Sequence, residues 1–272
     1  MIELIVCSVL GLLFGSFLNV VILRIPQGES VVFGSSHCPQ CHNNLKPWHN
    51  IPLFSWIFLG GKCAFCKTKI SLQYPLIELA SAIIFTLVAM KYGCSVQAFF
   101  IAMSFLMLLA LSMIDFKYKM VPDSLNLLAI LFAILGAYNL QAGVINFTNA
   151  LVFAGGFTLL RFALSYYLTS SVYRAGLKTK TPWNAHYDRT PMIEAMGEGD
   201  IMVAATMGAL LGVQLGLFAI FLSAVLALPV MLFVMQGSKE QQRVPFVPFL
   251  AMATLITFVF DSEIMHYIEA NF

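Results

Sequence analysis

Long uncharged stretches alternate with short polar ones along this chain, and their lengths are those of membrane-crossing helices. Residues 4–23 lie between Glu3 and Arg24, and residues 92–114 between Lys91 and Asp115. Each is long enough for one crossing, which needs about 20 mostly apolar residues. Residues 124–160 and 201–238 are each about two helices long. The first is interrupted around 138–149, where Asn, Gln and Gly collect, and the second around 212–216. Residues 70–90 carry Glu78 but otherwise read as a helix, and 244–260 form a short run opened by Pro245 and Pro248. The pattern predicts an all-α polytopic membrane protein with about eight transmembrane helices, seven and nine being the neighbouring counts.

Composition agrees. The chain is 60% hydrophobic and 10% charged, whereas a soluble domain is about half apolar and about a quarter charged. If the N-terminus is outside, segments 24–73, 115–122, 170–199 and 238–243 all face the cytoplasm. They hold thirteen of the fifteen Lys and Arg residues, the exceptions being Lys91 in an outside turn and Arg161 within a helix. The positive-inside rule therefore puts both termini outside. The first helix runs straight into Arg24-Ile25-Pro26 without a small-residue cleavage site, so it is expected to be retained rather than removed as a signal peptide. Gly11-x-x-x-Gly15 within it suits close helix packing. The net charge of +2 points to no further partner, and no nucleic acid is expected.

The one sizeable polar insertion holds Cys38-x-x-Cys41 and Cys63-x-x-Cys66. Stable disulfides are rare in a reducing cytoplasm, and four thiolates at this spacing suit a closed tetrahedral Zn2+ site. Such a site leaves no open position for water, so the metal is structural and folds a small domain of otherwise polar sequence. Gly60-Gly61 would supply the turn before Cys63, and His37 and His42 are spare ligands that two intact pairs make unnecessary. Cys7, in the first helix, and Cys94, in an outside turn, read as unpaired structural thiols.

Carboxylates in so apolar a chain are functional candidates by default. Asp115 ends the third helix and Asp200 begins the sixth, both on the cytoplasmic side and at one depth. Gly197 and Gly199 free the backbone around Asp200 for close approach to an extended strand. Two neighbouring carboxylates share protons, so one can draw a proton from water while the other donates to a scissile carbonyl. Asp123, after Pro122, reads as an N-cap of the fourth helix. Glu78 reads as the partner of a base such as Arg24. No Gly-x-Ser-x-Gly elbow, His-Glu-x-x-His or Gly-x-Gly-x-x-Gly loop is present.

Six motifs in order then resemble those of the type IV prepilin peptidases, the bifunctional leader peptidase/N-methyltransferase family of bacterial pilus and type II secretion systems. They are Gly15-Ser16-Phe17-Leu18-Asn19-Val20; the two Cys pairs, with Pro47-Trp48 and Asn50-Ile51-Pro52 between them; Tyr74-Pro75-Leu76-Ile77-Glu78-Leu79; Ile114-Asp115; Val121-Pro122-Asp123; and Gly197-Glu198-Gly199-Asp200. The resemblance implies that Asp115 and Asp200 are the catalytic aspartates of a membrane aspartic protease, supported by Gly197, Gly199, Asp123 and Glu78. It implies prepilin and pseudopilin substrates, cut after a glycine that ends a basic leader at the cytoplasmic face of the bacterial inner membrane. It also implies methylation of the new N-terminus from S-adenosylmethionine, for which the residues offer no recognisable cofactor-binding site. The organisation expected is a first transmembrane helix at 1–23, a cytoplasmic zinc domain at 24–73, and a membrane peptidase domain at 74–272 with a cytoplasmic loop at about 170–199. Three positions depart from the family pattern: Met202 where lysine is frequent, Val247 in Pro245-Phe246-Val247-Pro248 where glycine is usual, and a long basic segment at 170–196. A transporter with membrane acids and a zinc-stabilised regulatory domain is the rival, but it calls for acids near the midplane and repeated halves. A non-catalytic zinc adaptor gives no reason for Gly-x-Gly-Asp.

Overall fold

The computed structural model describes residues 2–33, 36–174, 197–235 and 245–271. Lys178, Lys180, Arg189, Lys239 and Arg243, with most of the expected loop at 170–199, lie outside them. Among the described residues α-helices dominate: α1 (Ile2–Arg24), α2 (Phe54–Phe58), α3 (Gln73–Tyr92), α4 (Val96–Tyr118), α5 (Asp123–Leu135), α6 (Leu140–Arg174), α7 (Glu198–Met235), α8 (Val247–Val259) and α9 (Asp261–Asn271). Five of these are long and apolar enough to cross a membrane, and six if the bent pair α8–α9 counts as one crossing; α5 is apolar but shorter.

The helix boundaries follow local chemistry. Ser95 caps α4, its hydroxyl accepting from Ala98 N–H at 3.1 Å, and Asn139 caps α6 in the same way through Ala142 N–H at 2.8 Å. The break expected over 138–149 is accordingly confined to the short turn before Leu140, because Asn139 restarts the helix at once. The second expected break is a single residue. Gly212 adopts φ 74°, while Gly216 stays helical. A straight helix would separate Gly208 from Gly216 by about 12 Å, yet both press on the ring of Phe153 from α6. The two limbs of α7 therefore converge from the Gly212 kink.

Helix α1 packs along α3 through Gly11 and Gly15. A Cβ on Gly11 would lie 2.7 Å from Ala82 Cα, and one on Gly15 would lie 2.8 Å from Glu78 Cα. Spaced four apart on one face, the two glycines form the close-packing surface that the sequence suggested. Helix α4 lies at the centre, touching α1, α3, α5, α7 and α8. Its Phe105, Leu108, Leu111 and Ile114 join Leu18, Ile22, Met207 and Leu250 in one buried apolar cluster.

One sequence expectation needs correction. Cys7 and Cys94 are not free thiols: they form a disulfide joining α1 to the turn between α3 and α4. Spacing along the chain could not show this, because only the α1–α3 packing brings the two together. Lys91 and Arg161, the two exceptions to the charge rule, are both ion-paired. Lys91 meets Asp261 and donates to Phe258 O at 2.9 Å, while Arg161 meets Glu198 at 2.9 Å. The chain also continues past Phe260 as α9, bent by 80° from α8.

Candidate active site

Asp115 lies in the last turn of α4 and is 7% exposed. Its Oδ2 accepts the N–H of Val247, the first residue of α8, at 3.2 Å. The first N–H groups of a helix lack intrahelical partners, and Pro248 at the next position has no N–H of its own. A carboxylate from another helix thus supplies the cap that α8 lacks, since Phe246 contributes no side-chain bond.

Asp200, half-buried, is the third residue of α7. Its carboxylate accepts the N–H of Gly197 and lies within Coulombic reach of Asp115. The reach back to the residue before the helix is that of a capping box. Both acids therefore sit on helix N-termini, α8 for Asp115 and α7 for Asp200. The partial positive charge there offsets part of the cost of holding carboxylates away from water. Gly199 makes the approach possible: a Cβ there would lie 2.5 Å from Val121 Cβ, so Val121 packs directly on Gly199. The Arg161–Glu198 pair fixes the same segment from α6.

Asp123 departs from its expected role. It is exposed, and it occupies the first residue of α5 rather than the cap, which is Pro122 with no side-chain bond. Its charge sits at the positive end of α5 without fastening an N–H. Glu78 departs too. Its Oε2 accepts Leu53 N–H at 2.8 Å, and its second partner is the Ser16 hydroxyl; Arg24 instead donates to Ser30 O and Phe33 O. Asn19 adds bonds to Gly15 O and Tyr74 O. Two of the motifs read from the sequence, together with Leu53 just after Asn50-Ile51-Pro52, thus meet at one junction of α1, α3 and the segment before α2.

The four cysteines come together. The sulfurs of Cys38, Cys41, Cys63 and Cys66 lie within 4.8 Å of one another, with Cys38 and Cys66 3.8 Å apart. Four thiolates at 2.3 Å from a tetrahedral Zn2+ would be about 3.8 Å apart, so the set fits such an ion. The two knuckles repeat one geometry. In each, the first cysteine's carbonyl accepts from the residue four on, and its N–H donates to the carbonyl five on: His42 and Asn43 in the first, Lys67 and Thr68 in the second. His42 and Lys67 take φ 53° and 60°. A left-handed residue thus follows each Cys pair, and Gly60-Gly61, at φ 59° and 66°, form the tight turn expected just before Cys63. Gly61 also receives the indole of Trp56, where a Cβ would lie 2.8 Å from the ring. Backbone N–H groups of Cys41 and Gln40 hold the Cys38 thiol below its usual range, and the Thr68 hydroxyl and N–H bring Cys66 down to about 6. The Asn43 N–H favours the Cys41 thiolate, but desolvation and the three neighbouring sulfurs outweigh it and push that thiol up to about 11. A divalent cation is what would let all four ionise together.

The contacts that Val247, Val121 and Arg161 make at the site are what the sequence did not identify. The one signal was Pro248, which marks a helix start whose free N–H needs an acceptor.

The fold and site define a helical membrane protein with paired carboxylates at converging helix ends and a separate four-cysteine centre. Residues 9–92 match the model of the bacterial peptidase A24 N-terminal domain, and residues 100–232 match that of the type IV leader peptidase family. A prepilin leader peptidase/N-methyltransferase of Stutzerimonas stutzeri is 33% identical, covering 94% of this chain and 90% of that protein. Proteins of the same name from Neisseria gonorrhoeae and Pseudomonas aeruginosa are 33% and 31% identical over 94% and 96% of this chain, and 90% and 91% of their own. No solved structure matches. The chain belongs to the prepilin leader peptidase/N-methyltransferase family.

Proposed function

We propose that this protein is an aspartic endopeptidase that removes the basic leader of prepilins and pseudopilins after glycine, and then N-methylates the exposed N-terminus. The observation that carries the peptidase reading is the placement of Asp115 and Asp200, from different helices, within Coulombic reach of each other at the N-termini of α8 and α7. With one proton between them, the ionised carboxylate takes a proton from the attacking water and the protonated one donates to the carbonyl oxygen of the scissile bond. Gly197 and Gly199 let an extended substrate segment approach closely, and neither a nucleophilic side chain nor a catalytic metal is required. The acids belong to the ends of long helices and not to their middles, which argues against a transporter.

Orientation rests on two independent supports. The charge rule assigns thirteen basic residues to one side, and the Cys7–Cys94 disulfide falls in segments that it assigns to the other, where an oxidising compartment would preserve it while the four knuckle thiols stay reduced. Both termini are then outside the bacterial inner membrane and the cysteine module is cytoplasmic. The limbs of α7 and the short α5 would bring the crossings to about eight. In the cytoplasmic module, Cys38, Cys41, Cys63 and Cys66 would hold a structural Zn2+. S-adenosylmethionine, as methyl donor, would supply the methyl group at a site that the geometry leaves unassigned.

Incubating the purified protein with a prepilin, with and without S-adenosylmethionine, and weighing the product N-terminus tests the whole reading. Leader loss in both arms and an added methyl only with the donor are expected; an intact prepilin in both would overturn it. The Arg161–Glu198 bridge gives a finer test. One partner is largely exposed, so each single reversal, Arg161→Glu or Glu198→Arg, is expected to slow cleavage by no more than about fivefold. The double swap is expected to restore the initial rate, and failure to do so would mean that the bridge does not position Asp200.

A further inference from the structure

The cysteine module carries an apolar face that its own fold leaves uncovered. On α2, Phe54, Ile57 and Phe58 are 57%, 64% and 84% exposed. At spacings of three and four they share one side of the helix, while Trp56 on the other side packs on Gly61 and donates to Ile70 O. The backbone is strained to present this face: Leu53, just before α2, sits at φ 60°, ψ −51°, a region that side-chain-bearing residues avoid. Its N–H is fastened to the buried Glu78 carboxylate.

We propose that α2 is an interfacial anchor that seats the module on the anionic surface of the protein's own membrane. Depth is the first argument. Glu78 is the sixth residue of α3, so the Leu53 bond ties the start of α2 to the first two turns of that crossing, at the level of the lipid headgroups. Continuity is the second. Leu72, Leu76, Leu79 and Ile83 form an exposed stripe down α3, and the Trp56–Ile70 bond sets α2 beside the head of it. Charge is the third. Residues 24–73 hold five basic residues and one acid, and the exposed Lys62 and Lys69 pair through their backbones next to Gly61. Apolar rings at the acyl boundary with lysines above them are what an anionic leaflet binds. The reading is independent of the peptidase chemistry.

The test uses the full chain in nanodiscs containing phosphatidylglycerol, with a nitroxide on Phe58→Cys and a second variant labelled at Asn44→Cys in the first knuckle. Unsubstituted protein labelled in parallel sets the background. Relaxation by lipid-soluble oxygen is expected to exceed relaxation by a water-soluble nickel chelate at position 58, with the reverse at position 44. Nickel-dominated relaxation at both would overturn the anchor. Shielding at position 58 that develops only when a prepilin is added would assign the face to substrate and overturn it equally.

Discussion

Asp115→Asn and Asp200→Asn are each expected to lower prepilin cleavage by about 10²–10⁴-fold while the protein still inserts into the membrane. That is the contribution a positioned general acid or base makes, and the pair acts as one unit, so the double variant is expected to be no slower than either single one. Initial rates in proteoliposomes, with insertion checked by fractionation, provide the measurement. Near-normal processing by either variant would sink the pairing. Asparagine at 115 can still accept the Val247 N–H, so the cap on α8 survives and a loss of rate reports chemistry and not unfolding. Asp123→Asn is the internal control. Asp123 is exposed at the start of α5, and its replacement is expected to cost far less; an equal loss would mean that it, and not Asp115, is the partner of Asp200.

Metal removal has the second large effect. Among residues 36–70 the only buried ones are Cys38, Pro52, Gly61 and Cys63, so two of the four cysteines are half of the module's small core. Structural zinc binding contributes about 10–16 kcal/mol in small domains of this kind, far more than burial of one proline and one glycine can. A strong chelator, or Cys63→Ser, is therefore expected to unfold the segment and expose it to protease, releasing about one zinc per chain. The membrane helices are expected to persist, because α1 and α3 are held by glycine-mediated packing and by the Cys7–Cys94 disulfide. A protease-resistant module free of metal would refute the role of zinc.

Much of the site was legible before any fold was known. Asp115 and Asp200 stood out because charge is costly in apolar helices, and the four cysteines because their spacing matches knuckle geometry. The acids' fastenings were not legible. Val247 N–H, Val121 beneath Gly199, and Arg161 against Glu198 are contacts between segments far apart in the chain, and no local pattern encodes them. Glu78 shows the same limit. Its sequence context suggested a basic partner, yet the nearest donors in space are a backbone N–H and a hydroxyl.

The chain alone determined which stretches are apolar helices, and which residues could carry acid–base chemistry or bind a metal. Periodicity, hydropathy and ligand spacing are local properties, written in consecutive residues. Only the tertiary structure decided that Cys7 joins Cys94, that α7 folds at Gly212 around Phe153, and that two helix N-termini converge on one pair of carboxylates. Those outcomes depend on which helix faces pack together, and packing is settled by the shapes of surfaces that distant segments present to each other.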